Sequence, residues 1–237
     1  SISGNYAIVG AYRNSDKGGA YIFNVQTGEQ LHKLTASDGA TNDEFGWNVA
    51  IDGNYAIVSG HHHDSSTGAV YIFDVRTGMQ VKKIVSSDIA KDDLFGHSVA
   101  IYDNYACVGA HMYRGDTKQG AVFVYDVPSG TQLFKLTATD VSMNNAEFGA
   151  SVSMYENYAV IGAPRDEQQA GVGSGAAYVF DITTSLYDTC FVHIIKKLLH
   201  QICIIFSGSM IVSWKAMIQI GFSLKKTNLN LSNFLFI

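Results

Sequence analysis

The run His61-His62-His63-Asp64 is the densest group of metal-ligating side chains in this 237-residue sequence. Imidazole nitrogens and a carboxylate suit a transition metal. Neighbouring residues on a strand point to opposite faces, however. The matching positions elsewhere read Tyr12-Arg13-Asn14, His111-Met112-Tyr113 and Pro164-Arg165-Asp166. On those grounds the run is expected to be a variable surface loop. Carboxylates gather in three further places: Asp38, Asp43 and Glu44, then Asp88, Asp92 and Asp93, then Asp140 and Glu147. Calcium wants about six to eight oxygens and can take several from one loop. The spacing here changes from cluster to cluster and fits no loop motif, so solvated turn carboxylates are the expectation. Asp38, Asp43, Asp88, Asp93 and Asp140 stand as the calcium candidates, and no metal is assigned. No Ser/His/Asp or Cys/His constellation recurs and no phosphate-binding loop is present. The sequence therefore supports neither a catalytic residue nor a cofactor, and a non-enzymatic chain is expected.

What must position these residues is a repeat. Gly-Asn-Tyr-Ala-Ile-Val-Gly-Ala around Tyr6 returns in variant form around Tyr55, Tyr105 and Tyr158, at spacings of 49, 50 and 53 residues. A second string, Gly-Ala-Val-Tyr-Ile-Phe-Asp-Val, recurs with variants at Gly19, Gly68, Gly120 and Gly175. Thr-Gly or Ser-Gly follows at Gly28, Gly78 and Gly130, and a Phe-Gly pair stands at Phe45-Gly46, Phe95-Gly96 and Phe148-Gly149. A fixed period of this length marks a stacked repeat architecture.

Each unit reads as four strands. In the second unit they are expected over residues 45–51, 55–59, 69–75 and 80–85. A tight turn at Asp52-Gly53 joins the first two, and the equivalent turns lie at Tyr102-Asp103-Asn104 and Tyr155-Glu156-Asn157. The second strand is apolar at both parities, as a strand covered on both faces would be. The fourth carries Lys82 and Lys83, charges that protect an open sheet edge. The expected class is all-β: a partial or open β-propeller of about four four-stranded antiparallel blades over residues 1–182. The units fall near 1–44, 45–94, 95–147 and 148–182, with a non-repeat tail over 183–237. The Phe-Gly pairs and the repeated tyrosines Tyr6, Tyr55, Tyr105 and Tyr158 are expected to fill the gaps between blades. Cys107 replaces Ile or Val and reads as a buried apolar residue.

The net charge of −5 divides unevenly. Residues 186–237 hold five lysines and one acid, a net of +4, which leaves 11 basic and 20 acidic residues, or −9, elsewhere. An acidic repeat region lacks the basic stripe that nucleic acid requires. In the tail, residues 198–214 are mostly apolar but fall short of the roughly 20 residues of a membrane helix. Residues 191–203 could form an amphipathic helix. The favoured reading is translated non-coding sequence, and membrane contact is expected only if the tail is genuine. Ser1-Ile2-Ser3 reads as the end of a truncated strand, so a fragment is expected, with further repeats closing the propeller.

Phe-Gly opening a strand, Gly162-Ala163-Pro164 closing the next, then Gly-x-x-Tyr-x-Phe: this landmark set resembles the FG-GAP repeats of integrin-like propellers over residues 1–182. The resemblance implies a propeller used for adhesion or ligand binding, on secreted or cell-surface proteins. The Asp-x-Asp-x-Asp-Gly calcium loop of integrin-like members is replaced here by a two-residue turn, so the chain looks like the short subset without that loop. Arg114-Gly115-Asp116 spells the tripeptide that integrins recognise in their ligands. The leading expectation is a binding module for a protein or glycan, with Arg13, His62, Arg114, Asp116 and Arg165 as candidates in its variable loops. The alternatives are a quinoprotein-like propeller enzyme and a purely structural scaffold. Residues 71–78 resemble the quinoprotein turn, but the Trp that follows it in such repeats is missing.

Overall fold

A computed structural model describes residues 1–14, 16–115, 119–138, 146–166 and 175–182. The chain divides into two compact units, Ser1–Tyr187 and Asp188–Ile237. The second unit lies outside the described residues, as do Asp116, Asp140 and both helix readings of the tail.

Short β-branched and aromatic runs separated by tight turns form fifteen strands among the described residues. Blade 1 comprises β1 (Ile2–Ser3), β2 (Tyr6–Gly10), β3 (Ala20–Asn24) and β4 (Gln30–Leu34). Blade 2 comprises β5 (Val49–Asp52), β6 (Tyr55–Gly60), β7 (Ala69–Asp74) and β8 (Gln80–Ile84). Blade 3 comprises β9 (Ser98–Tyr102), β10 (Tyr105–Ala110), β11 (Ala121–Asp126) and β12 (Thr131–Leu136). Blade 4 contributes β13 (Ser151–Tyr155), β14 (Tyr158–Ala163) and β15 (Ala176–Asp181). Every sheet is antiparallel, with its strands in chain order.

Two sequence-based boundaries shift. Asp52 pairs with Tyr55, so the two turn residues are Gly53 and Asn54 rather than Asp52 and Gly53. Only the first of the two has positive φ, at Gly53, Asp103 and Glu156 alike, the pattern of a II′-type hairpin. The first strand begins at Val49, not Phe45. Phe45 instead forms an isolated parallel bridge with Gly18 of the preceding blade, because the glycine after it turns the chain at a φ of 94°.

That bridge joins blade to blade. Phe95 N–H donates to Thr67 O at 3.1 Å, and Phe148 N–H donates to Gln119 O at 2.8 Å. The glycines facing these phenylalanines, Gly18, Gly68 and Gly120, have φ of 84°, 92° and 93°. A Cβ on Gly68 would lie 2.8 Å from the Phe95 carbonyl carbon, and one on Gly18 would lie 2.9 Å from that of Phe45. Backbone conformation and close approach thus demand glycine at the same place.

The cores lie between blades rather than within them. One gathers Ile8, Ile22 and Leu34 of blade 1 with Phe45, Ala56, Val58, Tyr71 and Phe73 of blade 2. The next gathers Ile57, Val70, Ile72 and Ile84 of blade 2 with Phe95, Val108, Phe123 and Tyr125 of blade 3. The third joins Cys107, Val122 and Val124 to Phe148, Ala159 and Ile161. Within β6 and β7 the two parities therefore serve different cores, which is why both are apolar. Phe45, Phe95 and Phe148 take equivalent buried positions, each edge-to-face with two aromatic rings of its own blade. Tyr6, Tyr55 and Tyr105 each pack against one of these cores. Tyr158, on the outward side of blade 4, is 52% exposed, and Val9, Val160 and Val179 are exposed on the end blades.

At one end of the blades the hairpin turns form a chain. Ser3 Oγ donates to Asp52 Oδ1 at 2.8 Å, and Asp103 N–H donates to Asp52 Oδ2 at 2.7 Å, so one carboxylate bridges three blades.

Glycine positions separate conformational strain from steric conflict. Gly28, with φ of 73°, has nothing within 4 Å of a Cβ, so Gly28→Ala should cost only about 1–2 kcal/mol, the left-handed penalty. Gly68→Ala meets the same penalty and the Phe95 backbone besides, and should lose clearly more. Urea denaturation of the two variants checks the order.

Candidate functional site

The loops between second and third strands lie at the opposite end from the hairpin turns, together with the loops that lead into each Phe-Gly. This placement follows from strand order: β6 runs away from its hairpin and delivers His61, while β8 runs the same way and delivers Asp38-type carboxylates of the next unit. Backbone bonds hold the two loops side by side. Gly46 N–H donates to Ser59 O at 2.8 Å, Ser59 N–H to Asn48 O at 3.0 Å, and His62 N–H to Asp43 O at 3.3 Å.

Five rings line this rim across three blades. Tyr12 and Trp47 meet edge-to-face at 5.0 Å, Trp47 lies 4.5 Å from His61, and Trp47 Nε1–H donates to His97 O at 3.2 Å. His97 stands 5.7 Å from His61 and 3.9 Å from His111. Arg13 lies over the Tyr12 ring at 5.2 Å. On blade 4, Arg165 Nη1 pairs with Glu147 Oε1 at 3.1 Å. The three consecutive histidines do not alternate across a sheet, because β6 ends at Gly60. His61 is buried, His62 is exposed beside it at a ring distance of 4.2 Å, and His63 turns toward the loop before Phe45. The expectation of a simple surface loop is corrected to that extent.

Burial, aided by neighbouring positive charge, lowers the pKa of His61, His97 and His111. Desolvation pushes His61 down to about 3, helped by His62, His97 and His111. It pushes His111 down to about 4, with His97 and Arg165 adding to it. His97 is lowered by burial and then by His62. The His61 Nε2 lies 3.7 Å from Glu44 Oε2, yet neutral imidazole and carboxylate there do not constitute an ion pair.

The carboxylates serve the loops. Asp43 Oδ2 accepts from Ala40 N–H at 2.8 Å and lies 2.7 Å from His63 Nδ1. Asp93 accepts from Ala90 N–H at 2.9 Å and from Arg114 N–H at 3.2 Å. Both are buried, against the expectation of solvated carboxylates. Asp38 accepts from Tyr71 Oη and Lys83 Nζ. Burial alone would raise its pKa, but these two donors outweigh it and hold the carboxyl below its ordinary value. Lys83 Nζ also lies 2.8 Å from His63 Nε2, so the ring bridges Lys83 and Asp43. Asp88 is exposed in its turn. Arg114 and Gly115 are exposed, while Asp116 of the same tripeptide lies outside the described residues.

Elsewhere the choice is poorer. A shallow cleft on blade 4, lined by Ser151, Gly162, Ala163, Pro164, Ala176 and Ala177, offers one hydroxyl and no titratable side chain. The buried Cys107 thiol is pushed up to about 12 by desolvation, which leaves it protonated and unreactive. Sequence reading missed the convergence of Trp47, His97 and His111. Its trace was available: Trp47 and His97 each follow a Phe-Gly, and Tyr12, His61 and His111 share one offset in the repeat.

Sheets of this kind, packed face to face with loops gathered at a rim, define a β-propeller repeat module. The family model described as "FG-GAP repeat" matches residues 29–73, 79–125 and 131–180, and the chain belongs to that family. Each matched segment starts at the fourth strand of one blade and runs through the third strand of the next. No curated protein matches the chain. Among solved structures, the computationally designed Ika8 protein is similar in fold, at 18% identity and a TM-score of 0.50. The match covers 78% of this chain, which spans 45% of that one.

The depressed histidines fix a pH dependence. Their folded pKa lies below the unfolded value of 6.5, so the unfolded chain takes up protons first. The stability they protect is full above pH 6.5 and is lost as pH falls toward about 4 for His111. Each such histidine adds a slope of about 1.4 kcal/mol per pH unit in that window. His111→Phe, which supplies a ring as Tyr12 does in blade 1, should flatten the decline between pH 6.5 and 4.5. Urea melts across that range measure it.

Proposed function

We propose that this chain is a non-enzymatic binding module of adhesion type, and that it engages a protein or glycan ligand with the histidine-bearing rim. The observation that carries the reading is a contrast between scaffold and rim. The inter-blade cores reuse one set of buried residues, whereas the residues just beyond each second strand differ from blade to blade. Blade 1 presents Tyr12 and Arg13, blade 2 presents His61 and His62, blade 3 presents His111 and Arg114, and blade 4 presents Pro164 and Arg165. A constant scaffold with variable loops is how repeat proteins place recognition. Exposed Trp47, Arg13 and Arg165 supply the side-chain types that dominate binding energy at interfaces.

Against catalysis stands the chemistry of the rim: its buried imidazoles are too weakly basic near neutrality to serve as general bases. The quinoprotein-like alternative draws no support from the rim, and Trp47 belongs to the ring track rather than to the turn after Thr77-Gly78. A secreted or cell-surface setting accords with the family resemblance. Among the described residues no helix is long and apolar enough to cross a membrane. Contact with a bilayer would fall to residues 183–237.

The test is a screen of the full chain against a glycan array and a panel of extracellular protein domains, followed by rim variants on the strongest binder. Arg13→Glu with Arg165→Glu should weaken binding roughly tenfold or more, a loss of about 1.4 kcal/mol. Arg76→Glu, at the opposite end of blade 2, should leave it unchanged. Equal effects of the two sets of changes would overturn the assignment of the rim.

A further inference from the structure

The loop leaving β6 and the segment before Phe45 bring three metal-ligating atoms together. Glu44 Oε2 lies 3.7 Å from His61 Nε2 and 3.8 Å from His62 Nε2. All three donor atoms fall within 4.8 Å of one another. None of the separations is a hydrogen bond, since each exceeds the donor–acceptor range. His62 is oriented from behind, with Nδ1 2.9 Å from Ser66 Oγ. When that nitrogen donates to the hydroxyl, Nε2 carries its lone pair toward the carboxylate. His61 packs against both Trp47, at 4.5 Å between ring centroids, and His97, at 5.7 Å. Where both rings turn an Nε2 lone pair toward the carboxylate, the three groups repel unless a proton or a cation lies among them.

A second observation comes from blade 4. Glu147 there occupies the offset of Glu44, and Arg165 that of His62. The guanidinium Nη1 sits 3.1 Å from the Glu147 carboxylate. The same place in the repeat thus holds a guanidinium cation against its carboxylate in blade 4, whereas blade 2 sets imidazoles against its carboxylate. In blade 3, Leu94 and Met112 take the two positions, and the carboxylate is absent as well.

We propose that Glu44, His61 and His62 form a binding site for one divalent transition-metal ion of the zinc class. Two nitrogens and one oxygen are a set that zinc accepts, with bonds of about 2.0–2.2 Å and ligand atoms roughly 3.3–3.4 Å apart in a tetrahedron. The two carboxylate–imidazole separations need to close by a few tenths of an ångström, and the separation between the imidazole nitrogens, within 4.8 Å, by no more than about 1.4 Å. Glu44 and His62 are free to supply that movement, their side chains being 26% and 41% exposed. Copper and nickel compete for the same imidazoles by the general order of affinities, whereas calcium wants a larger set of oxygens. Ser66 acts as the outer partner that orients His62, as carbonyls and hydroxyls do around other metal-bound imidazoles. The site stands whether or not the rim is the recognition surface.

The experiment uses the full chain and the metal alone. Calorimetric titration with zinc, and the visible absorption of the cobalt complex, should both give one site. His62→Ala and Glu44→Gln should each weaken it by roughly tenfold or more, and His32→Ala should not. His62 is exposed, so its loss leaves the fold intact, as far-ultraviolet dichroism would verify. A second readout is nickel quenching of Trp47 fluorescence in a Trp214→Phe background, since these are the two tryptophans of the sequence. Quenching should vanish in His62→Ala. Unchanged titrations of His62→Ala and Glu44→Gln would overturn the proposal. So would cobalt bands that disappear only when His193 and His200 of the tail are replaced, or an absence of zinc binding by the parent chain.

Discussion

Everything in this molecule depends on sheets that cannot bury themselves. A blade here has two apolar faces, and each face finds cover only in the neighbouring blade. The Phe-Gly segment makes that dependence specific. Its phenylalanine fills the gap between two sheets, and its backbone pairs with a glycine of the blade before, so side-chain burial and hydrogen bonding enforce one spacing. Burying a phenylalanine outright contributes on the order of 2–3 kcal/mol. The backbone bridge beside it determines where that side chain must sit. Neither device works without glycine at Gly18, Gly68 and Gly120, where a methyl group would meet the backbone of the phenylalanine it faces.

Much of this was legible in the sequence, because a repeat writes its architecture several times over. The apolar double parity of β6 announced cover on both faces, and the cores on either side explain it residue by residue. The first strand of each unit was placed too early. Phe45 is extended and apolar, so it looks like strand, but its partner is a single glycine of another blade. The rim was harder to read. Neighbouring side chains diverge only along a strand, and β6 ends at Gly60, before His61 and His62. Asp43 and Asp93 looked like turn carboxylates for solvent, whereas they accept backbone N–H groups and are buried doing so. Proximity between Trp47, His61, His97 and His111 is invisible along the chain. It arises because equal offsets in successive copies are stacked side by side.

The rim and the hairpin end show how one scaffold holds two kinds of polar chemistry. At the hairpin end, polarity is consumed internally: both oxygens of Asp52 are spent on Ser3 and Asp103. At the rim, polarity is concentrated and left partly unspent. The Nδ1 atoms of His61, His97 and His111 are buried without a hydrogen-bond partner among the described residues. An unsatisfied buried polar group costs on the order of 1–3 kcal/mol. A structure that retains three of them in one place is withholding stability there, and such places are where binding finds room to act.

Cores shared strictly between adjacent blades also govern how the array responds to growth and loss of copies. Each added repeat supplies one new interface of the same kind. Stability then rises almost linearly with copy number, as in a one-dimensional lattice with nearest-neighbour coupling. Excision of one whole period, such as the span between Phe45 and Phe95, would rejoin equivalent surfaces and leave every remaining interface complete. Deletion of half a period would leave two faces that no neighbour fits. Whole-unit changes of length are therefore tolerated far better than fractional ones, within the roughly four to eight blades at which a propeller closes, and that asymmetry follows from a sheet that needs a neighbour.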